Sequence, residues 1–245
     1  MEKRFDIKRM FNFIKRQSLL NANATIIGAL ATVGAMFLVS ELVGYFSPQG
    51  VTKLKAVYFG TLYVYGLIRT SHVFSELHNP QKGYAYLTLP VSTAEKLWGS
   101  WILSAPVFTL LFSIICIVLY FLACLTGGRM DAFHKIFDAD NARGVGFFLI
   151  IQSVFFLGAV YFKKNNFMKT VAVLIVFWLI NAAYIRLLTW PFGIDNTHIY
   201  GNIPTGDMIK FRDFMEIWVI DVGFCGLFAP FMLLVSYFRL KERQI

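Results

Sequence analysis

Long apolar runs without a single charged residue alternate with short polar segments along the chain. Four of these runs (17–40, 97–128, 144–162 and 222–238) reach or approach the roughly 17–25 residues that a membrane-spanning helix needs. Two shorter runs, 56–68 and 170–185, also fit buried helices of a soluble domain, and we interpret both as spans. The pattern predicts six spanning helices, at about 22–45, 52–69, 97–124, 144–162, 169–190 and 217–238.

Composition supports lipid as the solvent of this chain. Of the 245 residues, 57% are apolar and only 15% are charged, which leaves too little polar surface to cover a water-soluble globule. Cys116, Cys124 and Cys225 lie inside predicted spans and are interpreted as small core hydrophobes. We therefore predict an all-α membrane protein, with residues 1–245 forming a single transmembrane domain.

Loop charge predicts the orientation. If six spans cross the bilayer, the segments 1–22, 69–96, 163–169 and 239–245 share one side, and they hold 15 of the 23 Lys and Arg residues. Short loops rich in Lys and Arg remain in the cytoplasm. We therefore expect a multi-pass protein of the cell (cytoplasmic or inner) membrane with both termini inside. The positive charge suits anionic membrane lipid, and no nucleic-acid partner is expected.

The residues before the first span predict a further helix. Over 3–20, charged residues alternate with Phe and other apolar residues at spacings near three and four. This spacing is typical of an amphipathic helix that lies in the membrane interface, with its phenylalanines among acyl chains. A plain cytoplasmic extension of the first span is the alternative.

The segment between the second and third spans carries several local structural signals. Asn79-Pro80 is a helix-start pattern and Ser92 with Glu95 is a capping-box pattern, while Pro90 separates the two. These signals predict a short helix over about 80–88. Its apolar residues need either the membrane surface or a protein partner to cover them. The candidate partner-contact residues are Glu76, Asn79, Gly83, Tyr84 and Leu87, with Tyr84 and Leu87 sharing one helix face.

Patterns for chemistry on this chain are missing from the sequence. It has no phosphate loop, no H-E-x-x-H metal motif and no G-x-S-x-G motif, so we predict no catalytic residue, no metal ligand and no cofactor of its own. Gln152 and Asn181 are the polar candidates for lining a path through the membrane, although hydrogen bonds between helices would also explain them. Pro106 predicts a kink in the third span.

The stretch Gly83 to Pro106 resembles the corresponding part of ABC-2-type (exporter-type) ABC transporter permeases. In that family a short cytoplasmic coupling helix follows the second span. A short run of characteristic residues, then an acidic residue and a glycine, leads into the third span. The matching residues here are Leu87, Pro90, Val91, Ser92, Glu95 and Gly99. Many members have Gly followed by Lys at the start of the third span, whereas this chain has Trp98-Gly99-Ser100-Trp101.

The resemblance implies a function and partners. The chain would be a permease subunit that pairs with a second copy or a similar permease, and the segment 80–88 would be its coupling helix. A separate ABC ATPase subunit would bind ATP and Mg, so that no hydrolysis occurs on this chain. The alternatives are an ion-coupled transporter or channel, a non-transporting scaffold or accessory subunit, and a membrane enzyme.

Overall fold

The computed structural model describes residues 5–20, 22–189 and 226–242, and this part of the chain is almost entirely helical. Short 3₁₀ segments occupy Pro48–Lys53 and Met130–Phe137, and a π-helical turn occupies Leu103–Val107. The α-helices are α1 (Ile7–Leu20), α2 (Ala22–Phe46), α3 (Leu54–Ser71), α4 (Ser75–His78), α5 (Pro80–Leu87), α6 (Thr93–Ile102), α7 (Phe108–Thr126), α8 (Ala139–Tyr161), α9 (Asn166–Thr189) and α10 (Ala229–Glu242).

Four helices are long and apolar enough to cross a membrane: Ala22–Phe46, the continuous 34-residue run Thr93–Thr126, Ala139–Tyr161 and Asn166–Tyr184. They coincide with the first, third, fourth and fifth predicted spans. The protein is therefore embedded in a membrane. Of the predicted sixth span, only the part from residue 226 onward lies within the described residues, and the predicted count of six stays a prediction.

The second predicted span corresponds to α3, which is the central helix of the bundle. It packs among α2, α7, α8 and α9 and is less apolar than its neighbours because it carries three tyrosines and two charges. Two of its tyrosines are hydrogen-bonded inside the bundle: the Tyr58 hydroxyl lies 2.8 Å from Ser40 Oγ, and the Tyr63 hydroxyl donates to the Gly144 carbonyl at 3.0 Å. These bonds let a polar helix lie in a low-dielectric interior.

Pro106, where the sequence predicts a kink, lies in the π-helical turn Leu103–Val107, which joins α6 to α7. Proline has no amide hydrogen and its ring displaces the preceding carbonyl, so the regular bonding pattern of the helix is interrupted there. The third span is therefore two helical halves with a turn of different register between them.

One end of the bundle is closed by the two 3₁₀ segments, where Val51 and Ala132 are completely or almost completely buried. Phe133 packs there against the rings of Tyr120 and Phe121. The connections 46–55 and 125–143 thus add ordered packing of their own.

At the other end lie α1, the segment 72–92, the turn 162–165 and the last turns of α10; we call it the crossover end. Buried side chains from all of these elements except the turn meet in one cluster: Phe13, Phe74, Tyr86, Leu97, Phe156, Ala159, Val160, Leu233 and Leu240. The four segments predicted to share a side of the membrane therefore contribute their described parts to the same end of the bundle. That this end faces the cytoplasm is a prediction from the Lys and Arg distribution.

Candidate functional site: the crossover segment

Residues 72–92, the crossover segment, form a tight helical corner. The Asn79 side chain accepts a hydrogen bond from the Gln81 amide at 2.9 Å and Pro80 occupies the first turn, as the helix-start pattern predicted. Gly83 faces the end of α4, where an added Cβ would lie 3.1 Å from the Leu77 carbonyl oxygen. The predicted short helix is thus present at Pro80–Leu87, and its glycine allows close packing against α4.

The two residues predicted to share a contact face of α5 differ in exposure. Tyr84 is 78% exposed, which is high for a large aromatic side chain. Leu87 is half-buried, and its carbonyl oxygen accepts a hydrogen bond from Lys96 Nζ at 3.2 Å. The exposed apolar surface of α5 is therefore centred on Tyr84, whereas Leu87 belongs partly to the base of the third span.

The opposite face of α5 is anchored by Tyr86, which is only 1% exposed. Its ring packs edge-on against Phe13 of α1, and Lys96 Nζ lies 5.4 Å from the ring centre. Burial raises the pKa of the Tyr86 phenol, so the side chain is uncharged. The sequence does not distinguish Tyr86 from Tyr84. Both are tyrosines of the same short helix, and only the packing of the helix shows which of them points into the protein.

Glu95 links α1 to the start of the third span. It is fully buried, and its carboxylate accepts hydrogen bonds from the Ser92 amide (2.8 Å), the Asp6 amide (2.6 Å) and Arg9 Nη2 (3.0 Å). The capping box predicted for Ser92 and Glu95 is therefore present. The partners from α1 and the residue before it were not predicted, because nothing in the local pattern relates residues 6 and 9 to residue 95.

Two further contacts dock α1. A Cβ added at Gly99 would lie 3.0 Å from Phe13 Cδ1, so the glycine leaves room for α1 against α6. Arg16 Nη1 lies 3.3 Å from Glu76 Oε2 and pairs α1 with α4. Glu76, predicted as a partner-contact residue, is thus engaged within the chain.

The amphipathic helix predicted before the first span is present at Ile7–Leu20, but the prediction of its contacts needs a correction. Met10 and Phe13 pack against protein, not among acyl chains, because Gly99 leaves space for them on α6. Phe11 (63% exposed) and Leu19 (65% exposed) lie on other faces and remain open to a membrane interface.

The crossover segment also rests on α8. His78 Nε2 lies 2.8 Å from the Ala159 carbonyl oxygen, and the rings of Phe74 and Phe156 meet edge to face with centres 5.2 Å apart. The helical corner α4–α5 is therefore held on α1, α6 and α8 together, and Tyr84 projects from a fixed base.

The two candidate path-lining residues lie in different surroundings. Gln152 is completely buried, and its Nε2 donates to Thr70 Oγ1 at 3.3 Å and to Ser104 Oγ at 3.2 Å. Asn181 lies on the exposed surface of α9, where its Nδ2 donates to the Phe177 carbonyl at 2.8 Å. Gln152 therefore joins α3, the π turn and α8, and the structure does not bring the two residues together.

Among the described residues, no three His, Cys, Asp or Glu side chains cluster in a way that could hold a metal ion. Comparison of the chain with protein-family models, with curated proteins and with solved structures finds no match. The similarity of the stretch Gly83 to Pro106 to ABC-2-type permeases therefore stays a hypothesis drawn from its residues.

Proposed function

We propose that this chain is the permease subunit of an ATP-driven exporter of the ABC-2 type. It forms the translocation path with a second copy or a similar permease, and a separate ATPase subunit supplies the energy. The observation that carries the proposal is the short helix α5, which presents Tyr84 at 78% exposure from a buried base. An exposed aromatic side chain on a rigid element is a typical anchor for a protein partner.

The packing of α5 supports a coupling role. Its buried face contacts α1 through Tyr86 and Phe13, and Lys96 of α6 bonds to its last turn. α6 continues through the π turn into α7, so a displacement of α5 by a partner acts on one end of the third span. Small displacements of packed helices shift a membrane bundle between alternative packings.

The proposed mechanism needs no covalent chemistry on this chain. ATP closes the dimer of the partner ATPase, the α5 helices of the two permeases move with it, and the spans change from inward-facing to outward-facing packing. ATP binding contributes free energy only because the ATPase has different affinities in the two states. The substrate could be any molecule that an apolar, aromatic-rich bundle accommodates.

Replacement of Tyr84 by Asp tests the proposal. A charge at a desolvated contact costs more than truncation, and aromatic anchors contribute about 2 kcal/mol or more, so Tyr84→Asp should abolish co-purification of an ABC ATPase. Because Tyr84 is 78% exposed, membrane insertion and expression should be unchanged. The measurement is the amount of ATPase captured per amount of inserted, tagged chain.

Tyr45 offers a matched control. It is 72% exposed and lies near the end of α2 opposite the crossover end. Tyr45→Asp should retain the ATPase. Normal capture by Tyr84→Asp at normal expression contradicts the coupling-helix assignment, and a chain that purifies alone and moves substrate down an ion gradient supports the ion-coupled alternative.

A further inference from the structure

A cavity of about 530 Å³ opens at the crossover end, between the α1–α2 corner, α3 and the π turn. Along α3 it extends from His72, just after the helix, to Tyr65 within it. Since an α-helix rises 1.5 Å per residue, these two residues differ in depth by about 10 Å. The cavity therefore reaches from the end of the bundle into its apolar part.

Arg69 carries the charge of this cavity. Its Nη1 donates to Thr25 Oγ1 at 2.8 Å, and no carboxylate of the described residues lies within ion-pair distance of it. Glu76, the one carboxylate among the described residues that line the cavity, is paired with Arg16 at 3.3 Å. One guanidinium charge thus faces the cavity without a compensating anion from the described chain.

The remaining lining mixes polar and apolar side chains. Ser18, His72 and Ser75 lie toward the end of the bundle together with Leu20 and Val73, whereas Leu103 and Phe108 lie deeper, together with Tyr65 and Ser104. A ligand with an anionic, hydrogen-bonding head for Arg69 and an apolar tail for Leu103 and Phe108 fits this lining. The guanidinium group matches a phosphate group particularly well, because its fork of N–H donors binds two oxygens at once.

We infer that this cavity binds an anionic phospholipid, with the phosphate on Arg69 and an acyl chain along Leu103 and Phe108. Basic pockets between membrane helices commonly recognise anionic lipid headgroups. The inference is independent of the permease proposal, because it concerns only how the α1–α2 corner and α3 meet lipid. A bound lipid would contact α1, α2, α3 and the π turn at once, and it would therefore stabilise the fold.

Thermal unfolding of the purified full chain in mixed micelles tests the inference. With phosphatidylglycerol added to the micelles, the Tm of the unchanged chain should rise further than with the same amount of phosphatidylcholine. Arg69→Gln removes the charge and should weaken the apparent affinity for phosphatidylglycerol about tenfold, in line with the loss of a charge-assisted hydrogen bond. Lipid retained in native mass spectrometry gives a second readout.

Lys163→Gln is the matched control. Lys163 is an exposed cation at the same end of the bundle, outside this cavity. It should keep the full response to phosphatidylglycerol, and an equal loss in both variants would show only general attraction of anionic lipid and overturn the site. An unchanged response in Arg69→Gln overturns it as well.

Two further arms complete the test. Arg69→Lys keeps the positive charge but loses the bidentate geometry of the guanidinium group, so it should weaken the affinity for phosphatidylglycerol about threefold. This variant still tests the site if Arg69→Gln does not fold. Inorganic phosphate alone should not raise the Tm through Arg69. Stabilisation by phosphate equal to that by phosphatidylglycerol would assign the site to a soluble phosphate compound and overturn the lipid assignment.

Discussion

At the residue scale, the carboxylate of Glu95 joins two helices whose bonded residues are 86 positions apart in the chain. Its Oε2 accepts a hydrogen bond from the Ser92 amide as part of the capping box. Its Oε1 accepts hydrogen bonds from the Asp6 amide and from Arg9 Nη2. A fully buried carboxylate is tolerated here because three donors replace its water. The same side chain therefore starts the third span and fixes the position of α1.

Glu95→Ala should destabilise the protein strongly. Removing this buried carboxylate leaves the Ser92 and Asp6 amides without their acceptor and deprives Arg9 of one of its two carboxylate partners, at a cost of about 3 kcal/mol. We expect a lower midpoint of thermal unfolding in detergent and faster proteolysis within α1.

Glu76→Ala provides the comparison for Glu95→Ala. Its pair with Arg16 is partly exposed, with side-chain exposures of 12% and 35%, so the loss should be about 1 kcal/mol or less. Similar losses in the two variants would show that Glu95 has no special part in docking α1.

At the element scale, glycines set the distance between the helices. On α8, Gly158 faces Thr170 of α9 so closely that an added Cβ would clash with the Thr170 hydroxyl, and Thr170 itself is only 3% exposed. Gly146, on the same helix, has no atom from a neighbouring element of the described residues within 4 Å of an added Cβ. Both positions are glycines of α8, so they differ mainly in how closely a neighbouring helix packs against them.

Gly158→Ala should therefore separate α8 from α9. Overpacking a tight contact costs about 1–3 kcal/mol, since a short, buried threonine has little freedom to move aside. Gly146→Ala should be neutral or should stabilise the helix by about 0.5–1 kcal/mol, as alanine restricts the unfolded chain. Unfolding midpoints of both variants measure the difference, and equal midpoints would contradict the contact.

At the scale of the whole molecule, the crossover end gathers the described parts of segments that hold most of the positive charge. With six spans, the predicted loops on this side hold 15 Lys and Arg residues against 8 on the other, and this excess predicts that the crossover end faces the cytoplasm. Of the predicted spans, only the second, α3, lies between Gly50 and Gly83, so this pair decides whether α3 crosses the membrane.

Reporter fusions after Gly83, Asn166 and Ile245 should report the cytoplasm, and fusions after Gly50, Asp138 and Gly201 should report the outside. The measurement compares a reporter active only inside with one active only outside. The same side for Gly50 and Gly83 would remove α3 from the spans. An outside signal at Ile245 would contradict the count of six.

Features that depend on neighbouring residues can be predicted from the amino-acid sequence alone. The Asn79 cap and the Ser92–Glu95 capping box are interactions within a few positions, so the local pattern is enough to predict them. Four of the predicted spans correspond to long apolar helices for a similar reason, because length and the absence of charge are properties of one segment.

Which side chains those helices bury depends on how the helices pack in the folded protein. Tyr84 and Tyr86 belong to the same short helix, yet one is 78% and the other 1% exposed, because α1 covers a single face. The acceptors of Arg9 and Arg69 likewise lie on other helices. Burial and pairing depend on contacts between distant segments, and hydrophobic periodicity identifies an apolar face without identifying what covers it.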